Sequence, residues 1–151
     1  MAISIVEAQL VDAASLKDFM GGVIAASVTE DPALLAELRA NVEGNVDWWL
    51  AHQDDAVHLA AMEGERLVGV ILVKQFWNLC SLFVDPGLQR QGVGRALLEE
   101  AVLQCRGRSP KGALWLTAAP AAIPFCRRLG FVERTPTRWL APGFAALQLP
   151  L

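Results

Sequence analysis

Gln89, Gly92 and Gly94, spaced as Gln-x-x-Gly-x-Gly, follow the apolar run Leu82, Phe83 and Val84 and lead into a helical pattern that begins at Val93. Residues of these types in this order turn successive main-chain N–H groups toward one point, and the unpaired donors of a helix start add a positive dipole end there. That arrangement suits holding a phosphate. Glycine at 92 and 94 lets a pyrophosphate approach the backbone, where a side chain would keep it away. A Walker loop is excluded because no Gly-Lys-Ser/Thr follows. A dinucleotide fingerprint fits poorly, since its third small position is Leu97 here and it needs an early strand with a later acidic partner. The plainer alternative is a glycine that shapes a helix boundary and meets no ligand.

A second block, residues 122–131, reads Ala-Ile-Pro-Phe-Cys-Arg-Arg-Leu-Gly-Phe. In order and separation the two blocks resemble the acyl-CoA loop and the later Leu-Gly-Phe helix of the GNAT N-acetyltransferase superfamily. The resemblance covers residues 82–131 and is only topological before them. It implies one acyl-CoA N-acyltransferase-like domain over residues 1–151, mixed α/β, with a twisted mixed sheet of six to seven strands that splays open centrally and about four flanking helices. Acetyl-CoA would be the co-substrate, wedged into the split. Main-chain groups of Leu82, Phe83 and Val84 would pair with its pantetheine arm. Its pyrophosphate would sit on the N–H groups of Gln89, Arg90, Gln91, Gly92, Val93, Gly94 and Arg95, with the Arg90 and Arg95 side chains either adding charge or lying in solvent.

The activity implied is acetyl transfer to a primary amine of a small molecule or peptide, by direct attack on the thioester. Fixing thioester and amine side by side removes much of the entropic barrier, and a backbone N–H near Val84 would stabilise the oxyanion. The proton-handling positions depart from the family. Its glutamate base, six residues before Val84, is Asn78 here, and an amide cannot take the proton. Its tyrosine acid is replaced by Cys126, and the chain has no tyrosine. An unperturbed thiol near pKa ~8.5 lies closer to neutrality than a phenol near ~10, so Cys126 is the candidate general acid; filling space in a helix is its other reading. The family's usual asparagine is also missing near Ala119.

His52, His58, Glu30 and Asp31 are candidate bases working through water. Glu30 and Asp31 fall in the turn between the first two helices, a wall of the acceptor pocket in this superfamily, where they would draw an ammonium; helix capping is the other account. Trp48, Trp49, Trp77 and Trp139 fall in segments that border the acceptor cleft, with Trp77 and Trp139 the candidate contacts. They point to a flat or apolar acceptor rather than a polyanion, or to ordinary packing. Asn78 and Cys80 share a strand face by parity. Two other functions compete. One is the same fold as a non-catalytic acyl-CoA sensor, the other a structural dimer in which the apolar segment 144–147 supplies a homodimer strand or else a core strand.

The positioning elements must come from one domain, because 151 residues with 54% hydrophobic content and a net charge of -3 suit a single sizeable core. The acidic balance and the absence of a Lys/Arg run argue against nucleic acid as a partner. The longest uncharged apolar stretch, 113–126, is too short for a bilayer and contains Pro120 and Pro124, so no membrane partner is expected. Residues 1–7 lack a signal peptide's basic region and cleavage site. Cys80, Cys105 and Cys126 suggest neither a disulfide framework nor a metal site, which predicts a reducing, cytoplasmic setting.

Along the chain, periodicity predicts a strand at 3–7, helices at 11–28 and 33–52, a hairpin of 56–63 and 67–75 about Gly64-Glu65, and a strand at 77–84. A break at Gly21 and Gly22 beside a ligand, and an interruption near Gly44, are expected. Beyond the glycine loop come a helix of about a dozen residues, a strand at 113–117, a helix at 121–129 capped by Gly130, and late strands at 131–134 and 144–149.

Overall fold

A computed structural model describes residues 2–151. In chain order the elements are β1 (Ser4–Glu7), α1 (Ala13–Ser27), α2 (Pro32–Ala51), β2 (Ala56–Glu63), β3 (Arg66–Lys74), β4 (Asn78–Val84), α3 (Val93–Cys105), β5 (Ala113–Ala118), α4 (Ile123–Arg128), β6 (Val132–Glu133) and β7 (Ala145–Pro150). The seven strands form one sheet in the order β1-β2-β3-β4-β5-β7-β6. All neighbours are antiparallel except β4 and β5, which run parallel. The mixed α/β sheet and its four α-helices match the expected class.

Alternation sorts the strand side chains onto two layers. Leu59, Ile71, Val84, Leu114 and Leu147 face α3 and α4 on one side, and Val70 and Leu72 face α1 and α2 on the other. Along β4 the alternation changes phase, because a bulge between the Leu72–Ser81 and Val73–Leu79 pairs leaves Cys80 as the extra residue. Leu79 and Val84 therefore share the α3/α4 layer while Cys80 packs under α1 and α2.

Asp31 accepts the Leu34 N–H at 3.3 Å and Pro32 fills the first turn, so α2 starts where expected. The expected helix breaks do not occur. Gly21 lies within unbroken α1, where a Cβ would stand 3.0 Å from Nε of the exposed Arg39 side chain of α2. α2 runs unbroken through Gly44. The later helix is shorter than predicted, because the segment at Pro120–Ala122 is a 3-10 turn and only Ile123–Arg128 is α-helical. Gly130, at φ +104°, ends it, and the Phe131 N–H donates back to the Cys126 carbonyl at 3.1 Å. β7 is an interior strand between β5 and β6, with Ala146 and Leu147 buried. Residues 145–147 therefore belong to an interior strand, while Phe144 precedes it and is exposed.

Candidate active site

β4 and β5 pair at one position, Asn78 with Trp115. The Trp115 N–H donates to the Trp77 carbonyl at 2.7 Å, which closes this end of the two strands. Beyond it toward Val84 and Ala118 no further pair forms, so the sheet opens there into a split. The Asp85 N–H donates to the Val68 carbonyl at 2.8 Å on β3. By the alternation of an antiparallel ladder, the main-chain groups of Phe83 also turn to β3, whereas those of Leu82 and Val84 turn to the split. This corrects the expectation for Phe83, whose backbone is spent in the ladder and whose side chain packs under α1 and α2. At the lip, the Gln89 side-chain amide reaches the Val84 carbonyl at 3.5 Å, as expected of a carbonyl with no strand partner.

Asp85 shapes the exit from β4, and the sequence reading missed it although Asp-Pro-Gly is a turn signal. One carboxylate oxygen accepts the Gly87 N–H at 2.8 Å, and the other accepts Arg66 Nη2 at 2.6 Å. The chain then crosses Arg90 at φ +66° and Gly92 at φ +85° before α3 begins. Among the described residues, none of the main-chain N–H groups of Gln89, Arg90, Gln91, Gly92, Val93, Gly94 and Arg95 donates to a protein acceptor; the first helical bond runs from the Ala96 N–H to the Gly92 carbonyl at 2.9 Å. Seven consecutive donors without a protein acceptor, at a helix start beside an open sheet, suit an anion.

The two glycines do different jobs. At Gly92 the space around a Cβ is open, and the left-handed φ is what demands glycine. At Gly94 a Cβ would lie 3.0 Å from Phe125 Cζ and 3.6 Å from Val84 Cγ2, so this glycine lets α4 close against α3 at the edge of the split. Arg95 does not point its charge at the loop, because Nη2 donates to the Arg128 carbonyl at the end of α4 at 2.9 Å.

The proton-handling candidates are scattered. Asn78 sits at the closed end of the split. Cys126 is buried within the α3/α4 layer at 6% exposure, and burial raises its thiol above the ordinary value. The unperturbed acidity that favoured it as an acid is therefore lost. His58 is buried edge-on to Trp49, ring centroids 4.3 Å apart, with neither ring nitrogen hydrogen-bonded. Desolvation lowers its pKa to about 4, which keeps it neutral and makes it a weak base. His52 stacks on Trp48 with Nδ1 2.8 Å from the Trp48 carbonyl. Glu30 and Asp31 are exposed at the start of α2, and Asp31 is spent on the helix cap.

Of the tryptophans, Trp77 packs edge-on against Trp115, ring centroids 5.6 Å apart, at the closed end. Trp139 lies on the β6–β7 connection and is 82% exposed. Gly143 of the same connection approaches Pro120, just beyond β5, so this loop flanks the open end. Trp115 was missed because it lies in a run that reads as buried strand. Lys111 Nζ lies 4.5 Å from the Trp77 ring centroid and 4.3 Å from that of Trp115, and Arg134 Cζ lies 4.0 Å from the latter. Trp77, one of the tryptophans that pointed to a flat or apolar acceptor rather than a polyanion, and its neighbour Trp115 thus carry two cations on their rings.

Comparison with known proteins agrees with this fold. A 61-residue segment is 43% identical to the [Ribosomal protein bS18]-alanine N-acetyltransferase of Escherichia coli K12, covering 38% of this chain and 40% of that protein. The match therefore spans about two fifths of the curated relative's length. The PaiA N-acetyltransferase of Thermoplasma acidophilum, solved with coenzyme A, superposes with a TM-score of 0.77 at 16% identity over 100% of both chains. YncA of Salmonella typhimurium, solved with acetyl-CoA, gives 0.70 at 19% identity over 99% of this chain and 94% of that one. The sequence model of the acetyltransferase (GNAT) domain matches residues 45–140, from the middle of α2 to the β6–β7 connection, and the chain belongs to the GNAT acetyltransferase family.

Proposed function

We propose that the protein is an N-acetyltransferase that moves an acetyl group from acetyl-CoA to the primary amine of a small molecule or peptide by direct attack. The observation that carries this reading is the run of free N–H groups over residues 89–95 at the mouth of a sheet split whose walls leave Leu82 and Val84 unpaired. The loop holds the diphosphate, and the backbone of Leu82 and Val84 takes the pantetheine arm as an added strand. The Leu82 N–H, deepest of these donors before the bulge, faces the thioester oxygen as charge develops on it. The coenzyme supplies the activated acetyl group. The polypeptide supplies position, which is worth a large part of the barrier.

Asn78 is an amide and His58 is a weak buried base, so neither is suited to take the amine's proton. The amine therefore enters already neutral, from the unprotonated fraction in solution, and the proton its nitrogen carries after attack passes to water or to the departing thiolate, giving the amide and free CoA thiol. A leaving thiolate is stable enough to depart without an acid held at Cys126. The Escherichia coli relative is named for acetylating an alanine of a ribosomal protein, which supports a peptide amine as acceptor. Cys80, Cys105 and Cys126 are all free thiols, which supports a reducing, cytoplasmic setting. No helix among the described residues is long and apolar enough to cross a membrane.

The test is thiol release from acetyl-CoA across a panel of amines and peptides, beside the melting temperature with and without acetyl-CoA. Stabilisation together with amine-dependent release is expected. Stabilisation without release from any amine would leave the sensor reading, and neither would end both.

A further inference from the structure

We propose that the closed end of the split is a subsite for an acidic side chain of a peptide acceptor, drawn by the charge of Lys111 and Arg134 beside Trp77 and Trp115. This rests on the acetyltransferase reading above and adds the acceptor's class to it.

The placement follows from register. Lys74 pairs with Asn78, Asn78 with Trp115, and Trp115 with Gln148, so a polar row crosses β3, β4, β5 and β7 at the closed end. Leu114 and Leu116 face α3 and α4, so Trp115 between them points to the opposite face. On that face α1 and α2 pack over β3 and β4. Beyond them Trp115 is only half-buried and Thr117 is exposed, which leaves the β5 side of the row open to a ligand.

The charge there has no counterpart in the chain. None of the ion pairs among the described residues involves Lys74, Lys111, Arg134 or Arg138. The Arg134 guanidinium is destabilised by burial and by repulsion from Arg138, which lowers its pKa, and its Nε is buried without an acceptor. Indole faces attract cations but carry no net charge to neutralise them. A carboxylate would supply what is missing, as charge-assisted hydrogen bonds to a guanidinium and an ammonium that are already held in place. The protein as a whole carries a charge of -3, so this concentrated positive charge suits one carboxylate rather than a long polyanion.

Distance sets where the carboxylate belongs in the acceptor. The transfer point at Leu82 lies opposite Ile71 and the polar row opposite Lys74. Three strand steps separate them, roughly 10 Å. An extended peptide advancing about 3.3–3.6 Å per residue from a reacting N-terminal amine brings its third or fourth residue to the row. A glutamate or aspartate there comes within reach of the charge carried by Lys111 and Arg134 at Trp115.

The experiment titrates the wild-type protein, without acetyl-CoA, with two N-terminally free hexapeptides, Ala-Ser-Ser-Glu-Ser-Ser and Ala-Ser-Ser-Gln-Ser-Ser, following tryptophan fluorescence and heat. The glutamate peptide should bind at least tenfold more tightly, with the advantage lost in 0.5 M NaCl and in the double variant Lys111→Gln/Arg134→Gln. Equal binding of the two peptides to the wild type overturns the proposal. So does a double variant that melts lower yet still discriminates, because the cations then only clamp the two strands. The salt series on the wild type decides the matter if the variant fails to fold. The melting shift with acetyl-CoA, measured in parallel, judges the enzyme reading separately. Discrimination without that shift keeps the subsite and removes the reaction, whereas a shift without discrimination does the reverse.

Discussion

Asn78 on β4 stands opposite Trp115 on β5, and that pair is the pivot from which the two strands diverge. Its place at the closed end, three strand steps from Leu82, separates it from the reacting carbonyl by roughly 10 Å. Asn78→Ala is expected to change kcat by less than about threefold, the range of a lost polar contact rather than of a lost general base. A hundredfold fall, measured by thiol release at saturating acceptor, would restore a chemical role to this position.

If the amine enters neutral, as proposed, the pH dependence belongs to the acceptor. For a peptide N-terminus of pKa about 7.7–8.0, kcat/KM should rise with pH with unit slope and level off just above that value. Replacing the peptide by a lysine-side-chain amine, of pKa near ~10.4, should carry the inflection up with it. An inflection that stays fixed across acceptors would identify a titrating group on the protein.

Gly92 holds φ +85° with open space around it, and α3 starts from that residue. A β-branched side chain there is strained by at least about 1–2 kcal/mol and projects into the open space where the diphosphate is proposed to lie. Gly92→Val is expected to fold, to melt a few degrees lower, roughly 2–8 °C, and to lose most of the stabilisation by acetyl-CoA. Undiminished stabilisation, read by scanning calorimetry, would mean that the diphosphate does not lie on this loop.

The glycine loop, the hairpin about Gly64-Glu65 and the late Leu-Gly-Phe helix were legible because each depends on neighbours in sequence: turn chemistry, alternation and a helix cap. Features set by distant partners were not. The bulge at Cys80 puts Leu79 and Leu82, three residues apart, on the same layer, which strict alternation along β4 would not allow. Gly21 and Gly22 read as a break, but α1 runs unbroken through both, with Arg39 of α2 close to Gly21. The cations on Trp115 come from residues before β5 and after β6, and nothing local to Trp115 announces them. The unpaired β4 edge is likewise a fact about β5, whose course no pattern within β4 encodes.

Cys126 is packed in the α3/α4 layer with its thiol held protonated by burial. Cys126→Ala removes a small buried group, and a loss of about 1 kcal/mol in stability is expected from deletions of this size. Turnover should stay within about twofold at temperatures where the variant is folded. A fall in kcat with unchanged KM and an unchanged acetyl-CoA shift would instead show that the thiol delivers the proton to the leaving sulfur.

His58 links stability to pH. Its folded pKa of about 4 lies below the 6.5 of an ordinary imidazole, because desolvation by the layer beneath α2 disfavours the cation. The unfolded chain therefore binds the proton more readily, and stability from this group is complete above pH 6.5 and is lost as pH falls toward 4. The shift corresponds to about 3 kcal/mol, large against the 5–15 kcal/mol expected of a domain. His58→Leu removes the titrating ring together with two buried nitrogens that have no partner, each a group that costs stability when left unsatisfied. Urea melts of the two proteins at pH 7.5 and pH 4.5 should show His58→Leu losing less stability on acidification, by on the order of 2–3 kcal/mol. Equal losses would mean that the imidazole is solvated, or gains a partner, when it charges.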